Sequence, residues 1–369
     1  MMDTSDRAQF RYEPDYAVPP GETLAEVLDD RGMSQAELAR RTGLSAKHIN
    51  LILKGSASIT PDTALKLEHV LNIPARIWNA LEANYQGHQS RLDESRDLEK
   101  HVGWASKELI KELINRRCIK PAGDRVQQVR EVLRFFGVAS VAAWERLWTE
   151  SAPLSAYRLA RVEGDPVALA AWMRLGELHA AEVETEPFDR QTFQSGLHEI
   201  RRLTRVTDPD EWFPRLGEIC REAGVVVVIE RELPKARVNG VARWLSPSKA
   251  LIQLSARYRR DDILWFTFFH EAGHLLLHGK RSGPRDVPPT FIDTKESAGQ
   301  AEDEANRFAA DFLIPPDAAQ KLPYISSLDE VQELARQLEI APGIIVGRLH
   351  YDDLKHPSWG AKLITRYQW

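Results

Sequence analysis

The chain contains a stretch whose residue types and spacing could carry out hydrolytic chemistry. Residues 265–278 read WFTFFHEAGHLLLH, in which His270, Glu271 and His274 form an H-E-x-x-H pattern. Two histidines four residues apart lie one turn from each other on one helical face, so both imidazoles can reach a single zinc ion. Glu271 can then accept a proton from a water molecule at that ion. The pattern therefore predicts His270 and His274 as zinc ligands and Glu271 as the catalytic base.

The residues around the motif affect how it is interpreted. H-E-x-x-H also occurs by chance, usually on a solvated helix. Here aromatic and aliphatic residues flank the motif on both sides, which is typical of a buried helix. Buried polar side chains need partners, and a metal ion is the partner that this set suits. A catalytic zinc site requires three protein ligands and one open position, so a third ligand must come from elsewhere in the chain.

A second acidic segment can supply the third ligand. Residues 302–316 read EDEANRFAADFLIPP, with apolar residues at helical spacing and two prolines that end the helix. Glu302 precedes Ala305 by three residues and Ala309 by seven, so we predict that it lies near the buried face and binds zinc. Asn306, one turn later, is placed to orient a ligand histidine. Glu304 competes for the ligand role, and both glutamates could instead be solvated first-turn residues favoured by the helix dipole.

The two segments, in this order and about thirty residues apart, resemble the ImmA/IrrE family of metallo-endopeptidases. The resemblance covers roughly residues 210–350 and rests on HEAGH at 270–274 and EDEANRFAA at 302–310, with LIPP two residues later. It implies a zincin-like peptidase domain. In that family two motif histidines and a glutamate of the second helix bind zinc, and the motif glutamate is the general base. By motif, these are His270, His274, Glu302 and Glu271.

Two further polar residues belong to the same helices. Asn306 stands where related zinc peptidases often have aspartate, which removes the charge expected there. His278 lies one turn beyond His274 on the same helical face. The metzincin pattern H-E-x-x-H-x-x-G-x-x-H places its third histidine at a different spacing. We therefore expect His278 to be structural or to support a ligand residue, as Asn306 does, and not to bind the metal.

The composition bounds the class of protein. At 369 residues the chain is long enough for two or three domains, and 43% apolar residues support ordinary globular cores. The net charge of -5 gives no overall sign of nucleic-acid binding, so any basic patch must be local. The two cysteines, Cys118 and Cys220, are far apart and predict neither a metal site nor a disulfide framework.

The same sequence features predict a location. No apolar run reaches the roughly 18 residues that a membrane span needs. Residues 1–16 are too polar and charged for a signal peptide. The scarcity of cysteine also fits a reducing compartment. We therefore expect a cytoplasmic protein with no membrane partner.

Residues 21–87 carry five short helical patterns with clear start and stop residues. Ser34 and Glu37 form a capping-box pattern at the start of the second helix, and Ser45 is predicted to cap the third. Thr42-Gly43-Leu44 forms a tight turn between them. Two short helices joined by a turn that contains glycine are typical of a helix-turn-helix, whose second helix enters the major groove of DNA.

Basic residues concentrate between the end of the second helix and the end of the third. Between Arg40 and Lys54 there are four basic residues and no acidic ones, which suits contacts with phosphates. We predict that the start of the helix faces the bases, while Gln35 and Lys54 contact the DNA backbone. The predicted DNA-binding residues are Gln35, Ser45, Ala46, Lys47, His48, Asn50 and Lys54. The alternative is a helical bundle that serves protein contacts only.

Residues 33–45, MSQAELARRTGLS, closely resemble phage-repressor-type helix-turn-helix domains, and the whole module resembles HigA-type antitoxins. The resemblance implies a homodimer that binds a palindromic double-stranded DNA operator. It also implies a toxin as a further protein partner.

The middle of the chain, residues 88–205, has helical patterns and recurring tryptophans, which are more typical of a core than of a ligand site. The sequence leaves its role open between a spacer, a dimerisation region and a sensor. Short β patterns follow at 225–229, 238–244 and 250–254, with a hairpin turn between the last two. An exposed edge strand of this sheet could pair with an extended peptide substrate.

Two segments near the end are interpreted more simply. Residues 280–300 are polar and contain prolines, so we expect a loop that flanks the cleft. Residues 331–349 again suggest helix, turn and helix. Because basic residues are sparse there, we expect this segment mainly to pack against the peptidase domain, with DNA contact as the alternative.

We therefore expect a mainly α protein with a small α+β domain. Its predicted parts are an N-terminal five-helix helix-turn-helix bundle, a helical middle region and a zincin-like peptidase domain with a short β-sheet. The predicted segments are an N-terminal extension at 1–20, the DNA-binding domain at 21–87, the middle region at 88–205, the peptidase domain at 206–325 and a C-terminal helical segment at 326–369.

The expected function is a DNA-binding transcriptional regulator with a Zn²⁺-dependent endopeptidase domain that hydrolyses a peptide bond in a regulatory protein such as a repressor. The alternative is a non-enzymatic, HigA-like repressor or antitoxin whose peptidase-like domain acts as a sensor or binds a partner. The complete set of motif residues argues against a degenerate site, but it leaves open a silent one.

Overall fold

The structure, a computed structural model, describes residues 17–149, 164–278, 290–293 and 299–368. The chain divides into two compact units. The first comprises Met1–Val102 with Asp124–Val126, and the second comprises Gly103–Gly123 with Gln127–Trp369. The predicted extension at 1–20 lies mostly outside the described residues.

The described residues of the first unit form five helices, as the capping and turn residues of the sequence predict. They are α1 (Pro20–Asp30), α2 (Gln35–Thr42), α3 (Ala46–Leu53), α4 (Pro61–Leu71) and α5 (Ala75–Glu99). Gly43 ends α2 with a φ of 69°, a left-handed conformation that glycine adopts without strain. Helix α5 continues through residue 87, the position at which the sequence analysis ends the DNA-binding module.

Each helix of this unit contributes apolar residues to one shared core. Leu24 of α1, Leu38 of α2, Ile49 of α3, Leu67 of α4 and Trp78 of α5 are all fully buried in it. Burial of each such side chain contributes roughly 1.5–3 kcal/mol, which is how helices of eight to eleven residues become stable here.

The second unit begins with helices and ends with the sheet and the helices around it. Its first helices are α6 (Lys107–Asn115), α7 (Arg125–Phe136), α8 (Val141–Thr149), α9 (Pro166–Ala181), α10 (Arg190–Leu203) and α11 (Pro209–Glu222). The strands are β1 (Val225–Glu230), β2 (Gly240–Ser246), β3 (Lys249–Ser255) and β4 (Thr290–Asp293). The later helices are α12 (Asp261–His278), α13 (Gln300–Leu313), α14 (Pro316–Ala319), α15 (Leu328–Leu338) and α16 (Pro342–Tyr351), with 3₁₀ turns at Leu322–Tyr324 and Ala361–Leu363.

The four strands form one sheet in the order β1-β3-β2-β4. Strands β2 and β3 form the predicted hairpin and pair antiparallel, whereas β1 pairs parallel with β3 and β4 pairs antiparallel with β2. Strand β4 lies within residues 280–300, which the sequence analysis interprets as loop throughout. That expectation is wrong for 290–293, which read TFID. A run of only four residues inside a polar stretch gives a weak strand signal, and it is the pairing with β2 that makes it a strand.

Helices cover both faces of this sheet. On one face, Val225, Ala242 and Ile252 belong to the core that α12 shares. On the other face, Val226, Val228 and Leu251 pack with Ala180 of α9. Gln253 also donates a hydrogen bond from Nε2 to the carbonyl oxygen of Trp172 in α9, at 2.7 Å.

The architecture confirms the expected fold class, a mainly α protein with a small α+β part. Cys118 and Cys220 are both free thiols. In the part of the chain that the structure describes, no helix combines the length and apolarity that crossing a membrane requires.

Candidate functional site

Helix α12 places the polar motif inside the core. Nearly all of its residues are buried, and Trp265, Phe268 and Phe269 anchor it in the same core that covers one face of the sheet. His270, Glu271 and His274 are each at most 1% exposed. The flanking aromatic residues therefore fix the helix in the core. The buried polar side chains of the motif need partners that compensate for the loss of water.

Helix α13 brings a carboxylate to the two histidines. Nε2 of His270 lies 3.0 Å from Nε2 of His274. One carboxylate oxygen of Glu302 lies 3.2 Å from Nε2 of His270, and the other lies 3.4 Å from Nε2 of His274. Among the described residues, this is the one group of three such side chains whose ligand atoms converge.

These separations suit a zinc ion. Zinc binds imidazole nitrogen and carboxylate oxygen at about 2.0–2.2 Å, and tetrahedral angles then place ligand atoms about 3.3 Å from one another. Three such atoms that converge in a buried place repel one another unless a proton or a metal cation lies between them. The residues present therefore fit a metal ion with two nitrogen ligands and one carboxylate.

The ionisation states favour the same interpretation. Burial acts to raise the pKa of the Glu302 carboxyl, but contacts with His270 and His274 outweigh it and lower the pKa to about 2. Burial is the main reason that the pKa of His274 is lowered. At neutral pH the carboxylate is therefore charged and the imidazole neutral, which are the forms that bind a metal.

The predicted supporting residues contact the candidate ligands directly. Oδ1 of Asn306 lies 3.0 Å from Nδ1 of His270. An amide oxygen can only accept, so Nδ1 of His270 carries the proton between them, which leaves Nε2 as the ring atom that would bind a metal. His278 is 5% exposed, and its Nδ1 lies 3.2 Å from Nδ1 of His274.

Glu304, the competing candidate for the third ligand, lies elsewhere. Its carboxylate is 3.0 Å from Nε2 of His278 and belongs to no converging group with His270 and His274. Glu302 and Glu304 are separated by about 200° around a helix, so they cannot both face the same histidines. The geometry therefore favours Glu302 as the candidate ligand.

Glu271 has a close neighbour that the sequence did not single out. Gly240, the first residue of β2, lies against its carboxylate, and a Cβ atom at that position would stand 2.6 Å from Oε1 of Glu271. The same atom would stand 2.6 Å from Cγ2 of Thr267. A glycine at the start of a strand can mark such a close approach, but nothing local to the sequence indicates which residue approaches it.

A cleft of about 750 Å³ opens beside the cluster, and His270, Glu302 and Asn306 all line it. Its walls come from α12, α13 and α16. Apolar lining residues include Phe266, Ile263, Ala310, Leu313, Ile314 and Ile344, and charged ones include Arg260, Arg307, Arg348 and Asp311. A space of this size, apolar with a few charges, suits side chains of a bound peptide.

Helix α16 contributes to this wall, which the sequence analysis did not foresee. Two of its glycines allow a close approach to the first turn of α12, because a Cβ atom at Gly343 would stand 2.5 Å from Oδ2 of Asp261, and one at Gly347 would overlap Asp262. Asp262 also binds Arg260 through both oxygens, at 3.0 and 2.6 Å. The expectation that residues 331–349 pack against the domain accounts for this helix only in part.

The first unit has the predicted helix-turn-helix geometry. Oγ of Ser34 accepts a hydrogen bond from the backbone N–H of Glu37 at 3.2 Å, and Oγ of Ser45 accepts from that of His48 at 3.1 Å. The side chain of Glu37 binds Arg40 and Arg41 and does not close the predicted capping box. These contacts hold the pKa of Glu37 below its usual value.

The predicted DNA-binding residues lie together around α3. Gln35, Ser45, Ala46, Lys47, Asn50 and Lys54 are exposed, and His48 is partly exposed. Lys47 and Asn50 are three residues apart and therefore share one face of the helix. Two of the four basic residues of this region, Arg40 and Arg41, are paired with Glu37, so Lys47 and Lys54 supply its remaining positive charge.

Two family models match the chain. Residues 24–78 match the model described as helix-turn-helix. Residues 220–350 match the model described as IrrE N-terminal-like domain, and this range contains all of the candidate metal ligands.

Individual relatives match a short part of the chain. The uncharacterized HTH-type transcriptional regulator YddM of Escherichia coli (strain K12) is 32% identical over 63 residues, which are 17% of this chain and 67% of that protein. A HigA-family addiction module antidote protein from Coxiella burnetii is 32% identical with a TM-score of 0.22, over 23% of this chain and 92% of its own. The antitoxin HigA of Pseudomonas aeruginosa, solved with the higBA promoter, is 28% identical with a TM-score of 0.22, over 23% of this chain and 94% of its own.

Proposed function

Because the chain belongs to the helix-turn-helix transcriptional regulators through residues 24–78 and carries an IrrE N-terminal-like domain at 220–350, we propose that it is a DNA-binding regulator with a zinc-dependent endopeptidase domain. The substrate would be a regulatory protein such as a repressor. The observation that carries the proposal is the convergence of His270, His274 and Glu302 at a cleft large enough for peptide side chains.

His270, His274 and Glu302 would hold the ion. When bound, zinc would act as a Lewis acid toward a peptide carbonyl and make water a better nucleophile at neutral pH. Asn306 and His278 would orient the two ligand imidazoles through their Nδ1 atoms. These assignments follow from the donor atoms that each side chain presents to the cluster.

Glu271 would act as the base. Its position immediately after a candidate ligand residue, on a fully buried helical segment, keeps the carboxylate away from bulk water. It would accept a proton from the attacking water and deliver it to the leaving amine nitrogen. Gly240 and Thr267 lie against this side chain and would limit its movement.

An extended peptide would find a partner in the sheet. Strand β4 lies at the end of the order β1-β3-β2-β4, and Asp293 pairs with Gly240, the residue that lies against Glu271. A peptide that pairs with the outer edge of β4 would add a strand to the sheet. Its backbone would then run two strand spacings, roughly 10 Å, from Gly240, while its side chains alternate between the two faces of the sheet.

DNA binding is assigned to the first unit. The exposed face of α3 with Lys47 and Asn50 would contact bases, and Gln35 and Lys54 would contact phosphates of a double-stranded operator. A homodimer would read a palindromic site, and a toxin partner follows only from the likeness to HigA antitoxins. Access to the chromosome requires a cytoplasmic location. The proposal keeps residues 21–87 as the DNA-binding domain and takes 206–325 as the part of the peptidase domain that carries the candidate metal ligands and the base.

The test combines metal analysis with proteolysis. Zinc content and cleavage of candidate repressors are measured for the full-length wild type and for Glu271→Gln, which keeps the size and polarity of the side chain but cannot accept a proton. The variant should retain zinc and lose cleavage by a factor of about 10² or more. Glu108→Gln, an exposed glutamate of α6, serves as the control.

Two results would overturn the proposal. Cleavage by Glu271→Gln at the wild-type rate would remove this residue as the base. A wild-type protein that holds zinc, cleaves no candidate and keeps its cellular phenotype after Glu271→Gln would favour the non-enzymatic regulator.

A further inference from the structure

We propose that Glu304 and His278 form a hydrogen-bonded chain that fixes the tautomer of His274 and so holds its Nε2 lone pair toward the metal. The inference rests on the zinc site proposed above and assigns Glu304 a role as a positioning residue. It also accounts for the second glutamate of α13, which lies outside the ligand cluster.

The contacts connect the protein surface with the ligand cluster. The side chain of Glu304 is 42% exposed, and its Oε2 lies 3.0 Å from Nε2 of His278. Its other oxygen accepts a hydrogen bond from Nε2 of Gln300 at 2.7 Å. Nδ1 of His278 lies 3.2 Å from Nδ1 of His274, whose Nε2 faces the cluster. Each imidazole therefore has one nitrogen toward the surface side and one toward the cluster.

The positions of the protons follow from these contacts. A carboxylate only accepts, so Nε2 of His278 must carry the proton that faces Glu304. A neutral imidazole has one such proton, which leaves Nδ1 of His278 as an acceptor. The proton between the two Nδ1 atoms must then belong to His274. As a result, Nε2 of His274 has no proton and can bind the metal.

Two independent supports thus produce the same tautomer in the two ligand histidines. Asn306 reaches His270 in a single contact through a neutral amide, whereas Glu304 reaches His274 through an intervening imidazole and carries a charge. Carboxylate-to-histidine contacts of this kind orient a ligand ring and increase its basicity. His270 therefore has a neutral support, Asn306, whereas His274 is supported by the negative charge of Glu304 through the ring of His278.

Zinc affinity of the full-length protein tests the chain, measured by competition with a chromophoric chelator. Glu304→Ala should weaken zinc binding by about tenfold, and His278→Phe by about 10- to 100-fold. Glu304→Gln should fall between wild type and Glu304→Ala, because its amide oxygen can still accept from His278. Asp303→Ala, which removes an exposed carboxylate from the neighbouring position, should bind zinc as the wild type does.

A spectroscopic readout separates positioning from general stability. In the zinc-loaded protein, ¹⁵N–¹H correlation spectra of the imidazole rings should show the proton of His278 on Nε2 and that of His274 on Nδ1. A His278 that carries its proton on Nδ1 would overturn the inference. Because Glu304 is partly exposed, its variants give a result even if His278→Phe does not fold.

The two proposals can fail separately. If the wild type binds zinc tightly and Glu304→Ala binds it equally well, the zinc site stands and the role of Glu304 is wrong. If the wild type binds no zinc, both are wrong.

Discussion

Gly240 and Glu271 are in such close contact that no side chain fits between them, since a Cβ atom at Gly240 would stand 2.6 Å from Oε1 and 3.0 Å from Cγ of Glu271. The two residues lie on different elements, the start of β2 and the middle of α12. Their contact therefore fixes the distance between the sheet and the proposed catalytic base.

We expect Gly240→Ala to reduce cleavage by about 10²-fold, because displacing a reacting group by about 1 Å can cost that much. Zinc should remain bound, since the nearest atoms to the added methyl belong to Glu271 and Thr267 and not to a ligand residue. Gly217→Ala in α11 is the control, because its nearest neighbour is a flexible arginine end at 3.5 Å. Turnover and zinc content measured together decide the outcome; wild-type turnover in Gly240→Ala would contradict it.

The three ligand assignments predict a common loss of metal. His270→Ala, His274→Ala and Glu302→Ala should each abolish stoichiometric binding of about one zinc per chain, because two remaining side chains cannot hold the ion tightly. Atomic absorption on protein dialysed against a weak chelator measures the stoichiometry. Zinc retained by Glu302→Ala but lost by Glu304→Ala would reverse the choice between the two glutamates.

Stability should depend on pH through Asp261, which is 1% exposed at the start of α12. Burial, with a smaller effect of the neighbouring Asp262, raises the pKa of its carboxyl to about 6, whereas the unfolded chain titrates near pH 3.9. Between about pH 4 and pH 6 the folded state binds more protons, so this residue lowers the free energy of unfolding as pH rises. Above pH 6 the cost is constant and on the order of 3 kcal/mol.

Asp261→Asn should therefore gain stability relative to the wild type as pH rises from 4 to 6, with no further gain above pH 6. In the wild type, Oδ1 of Asp261 accepts a hydrogen bond from the backbone N–H of Asp262 at 2.8 Å. The amide oxygen of the variant can still accept it. Urea unfolding at several pH values measures the difference, and Asp317→Asn, an exposed aspartate, is the control. A difference that stays the same at all pH values would show that Asp261 keeps an ordinary pKa.

Contacts of the first unit with DNA should separate into two kinds. Lys54→Ala should weaken binding to all duplexes alike and reduce the slope of log affinity against log salt by about 1. Lys47→Ala or Asn50→Ala should mainly relax preference for the selected site, by roughly 1–3 kcal/mol if either side chain contacts a base edge. Lys66→Ala in α4, where the lysine pairs with Asp62, is the control. If selection from random duplexes yields no preferred site, the DNA-binding assignment is wrong and the first unit is a helical bundle for protein contacts.

Local features of the sequence predicted much of this structure. Ser34 and Ser45 cap α2 and α3 because each N-cap contact spans only three residues. The β2–β3 hairpin follows from two short apolar runs around a turn. His270 and His274 come together because a helix fixes their spacing, and Glu302 meets them as its position on α13 suggested.

Features that depend on distant segments could not be predicted. The parallel pairing of β1 with β3, and the addition of the four-residue strand β4, depend on how the strands meet in the folded chain. The contact of Gly240 with Glu271 joins residues whose proximity has no local pattern. The contacts of Glu37 were also not predicted. Its sequence position suits a capping box, but Arg40 and Arg41 of the same helix pair with its carboxylate instead.

The sheet is covered by α9 on one face and α12 on the other, although the segment with family likeness begins only at residue 220. A gene fragment that encodes residues 220–350 alone would produce a sheet with Val226, Val228 and Leu251 bare, an apolar face that favours self-association. Recombination that transfers this domain between proteins without loss of solubility must therefore take the chain from before Pro166. The unit that must be transferred as a whole is therefore longer than residues 220–350, the range that matches the family model.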